Sequence, residues 1–227
     1  MNKPDNLIIV PGHAAFKADI TAFPLDYNSD NPWVLQSFQS GEPPYYIQHI
    51  QSGIDAAIED PNSALIFSGG FSRDEAGYWS EAGTYYAIAR HLMSDQSKEH
   101  ILANTFIEDK ALDSYQNVDE SVELFAQLFG KYPLNTMVIG WGFKQARFEF
   151  HAQTIGIGAL FNYFARNDPS GEDLTYAIEK EELTLREFMR FPRGDGGLLL
   201  EKRNARDFSS RRQGRNGVPF LPTNQSF

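Results

Sequence analysis

Residues 64–92 read ALIFSGGFSRDEAGYWSEAGTYYAIARHL and contain one complete strand–loop–helix unit. Ala64–Phe67 is a short apolar run of the kind that forms a buried strand, and Ser68-Gly69-Gly70 follows it. Farther along, apolar residues recur at intervals of four and three positions, at Tyr78, Ala82, Tyr85, Ala89 and Leu92. This spacing predicts one face of an amphipathic helix.

The same unit recurs along the rest of the chain. Further strands are predicted at Leu7–Val10, Ile101–Ile107, Thr136–Ile139 and Ala159–Phe164. Further helices are predicted at Tyr45–Glu59, from Asp113 or Ser114 through Phe129, and at Phe143–Thr154. Four or five repeats of this kind predict an α/β protein with a three-layer, Rossmann-like fold and a mainly parallel sheet of about five strands. In such folds the strand-to-helix loops meet at the carboxyl edge of the sheet, where ligands bind.

No linker or internal repeat divides the chain, so residues 1–192 are expected to form a single domain. Residues 193–227 are expected to be a basic extension that packs on this domain or is partly disordered. Ala14–Pro44 is too long for an ordinary loop and predicts a lid or an elaborated loop, with Trp33 and Phe38 as apolar anchors. Glu179–Met189 predicts a short acidic helix, and the last twenty residues predict coil.

The composition excludes several classes of protein. The chain has 227 residues, is 41% hydrophobic and contains no cysteine, which rules out disulfides, thiolate nucleophiles, zinc ribbons and iron–sulfur clusters. A net charge of −10 and an isoelectric point near 4.9 argue against nucleic acid or anionic lipid as a partner. No run approaches the roughly 18 to 20 apolar residues that span a bilayer, and Leu7–Val10 lacks a secretory signal pattern. We therefore expect a cytoplasmic protein without a membrane partner.

The charge is unevenly distributed along the chain. Residues 193–227 carry seven basic and three acidic side chains, a net charge of +4, which leaves −14 on residues 1–192. Docking of this tail on the protein's own domain is the simplest interpretation, and a nucleic-acid-binding arm is the alternative.

The loops after the first two strands contain candidate functional residues. His13, which follows Gly12, is a candidate general acid or base because the pKa of histidine is ordinarily near neutral. A structural, hydrogen-bonded histidine is the alternative. Ser68-Gly69-Gly70 is a candidate anion cradle, because glycines let successive amides turn toward one point, but a tight turn explains the same residues. It is not a dinucleotide fingerprint, a Walker loop or a hydrolase elbow.

Charged and polar candidates lie at the starts of the following helices. Arg73 and Glu81 belong to the expected ligand edge, where the glutamate either contacts a hydroxyl group, acts as a base, or only favours the helix dipole. Glu108 ends the third strand region. Asp113, Ser114 and Asn117 open the next helix, where helix capping is the alternative to ligand binding.

The loop after the Thr136–Ile139 strand brings two cations to the same edge. Trp141 is flanked by glycines and is followed by Lys144 and Arg147, one turn apart on a helix face. Such a pair suits an anionic or phosphorylated ligand, and a solvated face that neutralises nearby acids is the alternative. No metal site is predicted, because no metal-binding spacing connects the five histidines, His13, His49, His91, His100 and His151.

Several motifs occur together in this chain. They are VPGHA at 10–14, FSGG at 67–70 with Arg73, SEA at 80–82, Glu108 followed by ALDSYQN at 111–117, VIGWGFKQARFEFHA at 138–152 and LEKRNARDF at 200–208. In this combination the chain resembles domain-of-unknown-function family 218, the YdcF/SanA/ElyC-like family, and within it the soluble eukaryotic-type branch.

The resemblance implies a Rossmann-like fold, in agreement with the strand–helix pattern. It also implies one pocket surrounded by Gly12, Ser68, Gly69, Gly70, Glu81, Glu108, Ser114, Asn117 and Arg147. Members of the family have been linked to S-adenosylmethionine, which is therefore the cofactor that the resemblance implies.

Three functions remain open at this point. The first is binding of a small anionic or nucleotide-like metabolite, with Glu81 contacting hydroxyl groups and Lys144 and Arg147 supplying charge. The second is a hydrolase or transferase acting on a phosphorylated substrate, with His13 or Glu81 as acid or base and Arg147 stabilising charge. The third is a noncatalytic interaction module whose pocket is filled by its own aromatic side chains, namely Trp33, Trp79 and Trp141.

Overall fold

The computed structural model describes residues 3–20, 24–93 and 99–208, apart from the side chains of residues 99, 100 and 172. In this part of the chain the strands are β1 (Asn6–Pro11), β2 (Ala15–Phe16), β3 (Trp33–Val34), β4 (Ser63–Ser68), β5 (Thr105–Glu108), β6 (Asn135–Trp141) and β7 (Phe161–Asn167). The helices are α1 (Pro43–Glu59), α2 (Glu81–Leu92), α3 (Glu99–Leu102), α4 (Ser114–Phe129), α5 (Gln145–Thr154), α6 (Glu172–Arg190) and α7 (Gly197–Ala205).

The large sheet is entirely parallel, with the strand order β5-β4-β1-β6-β7. These five strands run outward in chain order from β1, first to β4 and β5 on one side and then to β6 and β7 on the other. The predicted three-layer, Rossmann-like α/β fold is thus confirmed. The order reverses between β1 and β6, so the loops after these two strands run to opposite faces of the sheet and leave a crevice between them.

Alternate residues of the central strands face opposite layers of helices. One core contains Ile8, Val10, Leu65 and Phe67 of the sheet together with Ile50 and Ile54 of α1 and Tyr85 and Ile88 of α2. The opposite core contains Leu7, Ile9, Ala64 and Ile66 together with Val118, Val122 and Phe125 of α4. Because helices cover both faces, β1 and β4 are apolar at nearly every position, and this is the signal that made them predictable.

Two predicted strands have different bounds. In place of a strand from Ile101 to Ile107, the chain forms α3 and then β5, because the amide of Asn104 turns back to the carbonyl of Ile101 at 3.0 Å. A short apolar run does not by itself distinguish a helical turn from a strand. The last strand was predicted at Ala159–Phe164, but residues 158–160 form a 3-10 turn and β7 continues beside β6 to Asn167.

The described part of Ala14–Pro44 is an elaborated loop that packs on the core. β2 and β3 pair in it as an antiparallel hairpin, and residues 21–23 lie outside the described residues. Trp33 is an anchor as predicted, because it is 1% exposed and its ring lies 4.9 Å from that of Phe16. Phe38 was wrongly predicted as an anchor: it is 62% exposed and lies at the wall of the cleft described below.

The C-terminal region folds back onto the domain. α6 is longer than the predicted Glu179–Met189 helix, and α7 is an additional helix within the predicted extension. Leu199 of α7 packs with Phe188 of α6 and Tyr115 of α4. The predicted coil falls almost wholly on residues 209–227, outside the described residues. In the described ranges, none of the helices has the length and apolar character needed to cross a membrane.

Candidate functional site

A cleft of about 520 Å³ opens at the reversal point of the sheet, between the ends of β1 and β6. Its walls include Gly12 and His13 after β1, Arg73 after β4, Ser114 at the start of α4 and Lys144 after β6. Ligands of open α/β proteins bind at this position, and small-molecule pockets have volumes of about 300–1,000 Å³. The cleft is therefore the candidate functional site, and we call it the switch-point cleft.

The switch-point cleft is basic although the chain is acidic. Seven Lys or Arg and five Asp or Glu side chains line it, whereas the whole chain has 20 and 30. The basic residues are Arg73, Lys144, Arg147, Lys180, Lys202, Arg203 and Arg206. The acidic residues are Glu42, Glu81, Asp113, Asp173 and Glu181. The sign of the charge is thus inverted where a ligand would bind.

Ten of the fourteen predicted site residues line this cleft. They are Gly12, His13, Arg73, Glu81, Asp113, Ser114, Asn117, Trp141, Lys144 and Arg147. The other four, Ser68, Gly69, Gly70 and Glu108, are buried behind the lining residues and have other partners. The ten residues meet in the cleft because their loops converge at one edge of the sheet. For the other four, the predicted contact with a ligand is corrected below.

The glycine loop after β4 does not form the predicted anion cradle. The amides of Gly69 and Gly70 donate to the carbonyl oxygens of Glu108 and Ala111, at 2.9 and 2.6 Å. The carbonyl oxygens of the same glycines accept the first two amides of α2, at 2.9 and 3.1 Å. Neither glycine amide is free to bind a ligand, because the hydrogen bonds of this loop connect the end of β5 and the residues after it to the start of α2.

Gly12 and Gly69 instead leave room for the side chain of Glu81. A Cβ atom on Gly12 would lie 2.5 Å from Glu81 Cβ, and one on Gly69 would lie 2.9 Å from Glu81 Cβ and Oε2. Gly69 also has a φ of +149°, a backbone conformation that residues with a side chain rarely adopt. Ser72 Oγ donates a short hydrogen bond to Glu81 Oε1. The glycines therefore let the Glu81 carboxylate sit between the loops that follow β1 and β4.

Ser68, Glu108 and Asn117 form a polar network behind the cleft. Ser68 Oγ donates to Glu108 Oε2 at 2.6 Å and accepts a hydrogen bond from Asn117 Nδ2 at 2.9 Å. Glu108 Oε1 accepts the amides of Lys110 and Ala111, at 2.6 and 3.1 Å. Burial raises the pKa of Glu108 to about 7. The network connects β4 and β5 to α4, so Ser68 and Glu108 hold the wall of the cleft and only Asn117 reaches it.

Asp113 is the N-cap residue of α4, one of the two residues at which this helix was predicted to begin. Its Oδ1 accepts the amide of Gln116 at 3.0 Å. Its other oxygen, Oδ2, accepts hydrogen bonds from Nε and Nη2 of Arg203 at 2.8 and 2.6 Å. Asp113 lines the cleft but is fully engaged, so its role is to join α4 to α7.

Arg147 is held between two elements. Its Nη1 donates to Ser114 Oγ at 3.1 Å, and its Nε lies 2.7 Å from Glu181 Oε1 of α6, outside hydrogen-bonding geometry. Ser114 Oγ also lies 2.9 Å from His151 Nε2. Burial, with the Arg147 charge adding to it, lowers the pKa of His151 to about 2. A neutral histidine of this kind shares a hydrogen bond with Ser114 but is too weakly basic to remove the proton of its hydroxyl group.

Lys144 is a cation without a counter-ion in the switch-point cleft. It makes no ion pair or hydrogen bond with the residues that the structure describes, and its Nζ lies 5.5 Å from the centre of the Phe143 ring. Burial, and then the charge of Arg147, lower the pKa of Lys144 to about 8. At neutral pH the side chain is still mostly charged, so a ligand anion can pair with it.

His13 is poorly placed for the acid–base role predicted for it. Its Nε2 is buried without a hydrogen-bond partner, and its ring lies 5.5 Å from Tyr46, 5.4 Å from His49 and 6.0 Å from Trp141. Burial and the nearby Lys144 charge lower the pKa of His13 well below its ordinary value. His13 is thus a neutral member of an aromatic wall.

The cleft is not filled by the three tryptophans. All three tryptophans belong to the hydrophobic core on the α1–α2 side of the sheet, and of the three only Trp141, which is 2% exposed, also lines the cleft. The aromatic filling required by the interaction-module hypothesis is therefore not found.

Sequence reasoning missed the contribution of α6 and α7 to this cleft. One face of α6 lines it, at Asp173, Tyr176, Ala177, Lys180, Glu181, Thr184 and Phe188. α7 and its end add Leu199, Lys202, Arg203 and Arg206. The three-and-four spacing on α6 is a helical signal that was visible in the sequence, but it does not indicate which surface that face covers.

Comparisons with known proteins add a distant relative. No family model matches the chain, so the resemblance to family 218 stays a prediction. The chain is 28% identical over 198 residues to the uncharacterized protein YOR238W of Saccharomyces cerevisiae, and the match covers 68% of this chain and 64% of the yeast protein. The matched part is thus less than two thirds of the yeast protein's length. No solved structure matches.

Proposed function

We propose that the protein binds a small anionic metabolite, phosphorylated or nucleotide-like, in the switch-point cleft. The observation that carries the proposal is the inverted charge, seven basic to five acidic side chains in the cleft against 20 to 30 in the chain. A surface of random composition would repel an anion from a protein of net charge −10. The proposal places the protein in the cytoplasm, with neither nucleic acid nor membrane as its partner.

The chemistry of the cleft supports a ligand with both phosphate and hydroxyl groups. Lys144 offers an ammonium group without a counter-ion among the described residues, which suits a phosphate oxygen. Glu81 has one carboxylate oxygen engaged by Ser72, and carboxylate oxygens accept hydrogen bonds from sugar hydroxyls. The buried ring of Trp141 adds an apolar wall.

S-adenosylmethionine, the cofactor implied by the family resemblance, is a weaker candidate on electrostatic grounds. It carries sulfonium and ammonium cations beside its carboxylate, and these would face a predominantly basic lining. We expect sugar phosphates and nucleotides to bind more tightly than S-adenosylmethionine.

The test is a ligand panel measured by thermal shift and tryptophan fluorescence. Ligands that bind the folded state raise its melting temperature, and we expect this for ADP and for sugar phosphates. Lys144→Ala should weaken their binding about tenfold, because it removes a charge-assisted hydrogen bond of roughly 1.5 kcal/mol. Trp141→Phe should abolish a ligand-dependent fluorescence change that Trp79→Phe retains, since Trp141 lines the cleft and Trp79 does not.

The matched control is Lys110→Ala. Lys110 is exposed, pairs with Glu120 at 3.7 Å and does not line the cleft, so its removal should leave binding unchanged. The proposal is abandoned if no anionic ligand stabilises the protein, or if Lys144→Ala and Lys110→Ala have the same effect.

A further inference from the structure

Arg73, in the loop after β4, has unused hydrogen-bonding capacity toward the cleft. Its Nη1 donates to the carbonyl of its neighbour Ser72 at 3.2 Å, whereas its Nε is buried without a partner. No carboxylate in the described ranges forms an ion pair with Arg73. Burial of a guanidinium donor without a partner is costly, and it points to a ligand or ion at this place.

Arg206, at the end of α7, lines the same cleft as Arg73, and its charge acts on the Arg73 guanidinium group. The amide of Phe208 donates to the carbonyl of Phe71 at 3.0 Å, which ties the chain after α7 to the loop that carries Arg73. Arg203 holds the preceding turn of α7 against Asp113. The docked helix therefore brings Arg206 to the part of the cleft that Arg73 lines.

Among the described residues, neither arginine forms an ion pair with a carboxylate. Burial lowers the pKa of Arg73, the charges of Glu81 and Glu75 oppose this shift, and the charge of Arg206 adds to it. Glu81 is engaged by Ser72 and is not within ion-pair distance of either arginine. Residues 209–227, which follow this part of the chain, contain three arginines and no Asp or Glu.

A purely structural explanation accounts for only part of this arrangement. Cations near the C-terminus of a helix interact favourably with its dipole, which explains Lys202 in the last turn of α7 and Arg206 at its C-cap. It does not explain why Arg206 lines the same cleft as Arg73, an arginine from another element. Like charges that lie together without a counter-ion are stabilised when an anion binds between them.

We infer that Arg73 and Arg206 form a second anion subsite of the switch-point cleft, so that its ligand carries two phosphate groups, the other being held at Lys144. The inference rests on the proposed function and names its substrate class. Guanidinium groups pair with phosphate through two parallel hydrogen bonds, and arginine is the residue best suited to this geometry. A cleft of about 520 Å³ holds the sugar or nucleoside that would connect the two phosphates.

The experiment compares fructose 1,6-bisphosphate with fructose 6-phosphate, and adenosine 3′,5′-bisphosphate with AMP, by isothermal titration calorimetry. For the wild-type protein at least one bisphosphate should bind tenfold or more tightly than its monophosphate partner. Arg206→Ala should remove this difference in affinity, so that the variant binds the bisphosphate and the monophosphate equally tightly. Arg186→Ala is the matched control, because Arg186 is exposed on α6, pairs only with Glu182 and lies outside the cleft lining.

Thermal unfolding separates this role from a merely structural one. Without ligand, Arg206→Ala should melt at the wild-type temperature or above it, because the variant relieves repulsion between two arginines. If instead the variant melts lower and keeps the full bisphosphate advantage, Arg206 is structural and the inference is overturned. If the wild type binds monophosphates through Lys144 but gains nothing from a second phosphate, the subsite is wrong and the proposed function stands. If neither sugar phosphates nor nucleotides bind at all, the second subsite and the proposed function are both wrong.

Discussion

At the scale of single residues, the polar groups behind the cleft form hydrogen bonds with other parts of the chain. Gly12 and Gly69 have no side chains and so leave room for Glu81, and the Ser68 hydroxyl donates a hydrogen bond to Glu108. The sequence indicated that these positions matter but suggested direct ligand contact, because a glycine or serine after a strand is compatible with both roles. Only the distance to the partner distinguishes them.

Glu108 provides a prediction about pH. Its pKa is raised from 4.5 to about 7, so the native state keeps a proton that the unfolded chain releases. The free energy of unfolding should therefore fall by about 3 kcal/mol as the pH rises from about 4.5 to about 7, given 1.36 kcal/mol for each pKa unit. Glu108→Gln should remove this contribution, and chemical denaturation at several pH values measures it.

The control for Glu108 is Glu149→Gln, on the exposed face of α5. It should keep the wild-type slope of unfolding free energy against pH, because Glu149 accepts a hydrogen bond from Gln145 at the surface and its charge does not act on Glu108. An unchanged slope in Glu108→Gln would show that Glu108 is not the titrating group.

At the scale of elements, helices were predicted where apolar periodicity was strong, but the surface that each one covers was not. α6 and α7 lie over the cleft and contribute the counter-charge of Arg147 and the partner of Asp113. α7 is short and its apolar residues are consecutive, so its sequence has little helical periodicity. Its docking depends on one buried ion pair more than on a broad apolar face.

Arg203→Ala should therefore undock α7 without unfolding the domain. The Arg203 and Asp113 side chains are 17% and 14% exposed, and loss of their paired hydrogen bonds should reduce the local stability of α7 by about 2 kcal/mol. Amide hydrogen exchange in α7 should then accelerate about 30-fold, while amides of β1 and β4 keep their wild-type rates. Arg190→Ala, which removes an exposed pair within α6, should leave α7 unchanged. Equal acceleration in the sheet would mean that Arg203 stabilises the whole domain.

At the scale of the whole molecule, charge is separated between an acidic body and a basic cleft. Residues 193–227 carry +4 against −14 on the rest, and three of their cations, Lys202, Arg203 and Arg206, line the cleft. The predicted docking of the described part of this extension thus has a physical consequence. The docked extension adds positive charge to the sheet edge, so that the cleft is more basic than residues 1–192 alone would make it.

Salt should consequently have opposite effects on stability and on binding. Raising KCl from about 10 mM to about 100 mM shortens the screening length from about 30 Å to about 10 Å. We expect the melting temperature of the free protein to rise, because repulsion within an acidic chain is screened. Affinity for fructose 1,6-bisphosphate should fall over the same range, and less so in Lys144→Ala. Salt-independent affinity would contradict an electrostatic cleft.

Apolar patterning in the sequence predicts the alternation of the five sheet strands with α1, α2, α4 and α5 and the edge at which their loops meet, but not the β2–β3 hairpin, α3 or α7. Apolar periodicity is local, and parallel strands with right-handed crossovers bring Gly12, Glu81, Ser114 and Lys144 to one side. The partners are found only in the folded structure, where Glu181 pairs with Arg147, Asp113 pairs with Arg203, and Arg206 and Arg73 line the same cleft. Hydrogen bonds and ion pairs act over a few ångströms between residues far apart in the chain, so no local pattern encodes them.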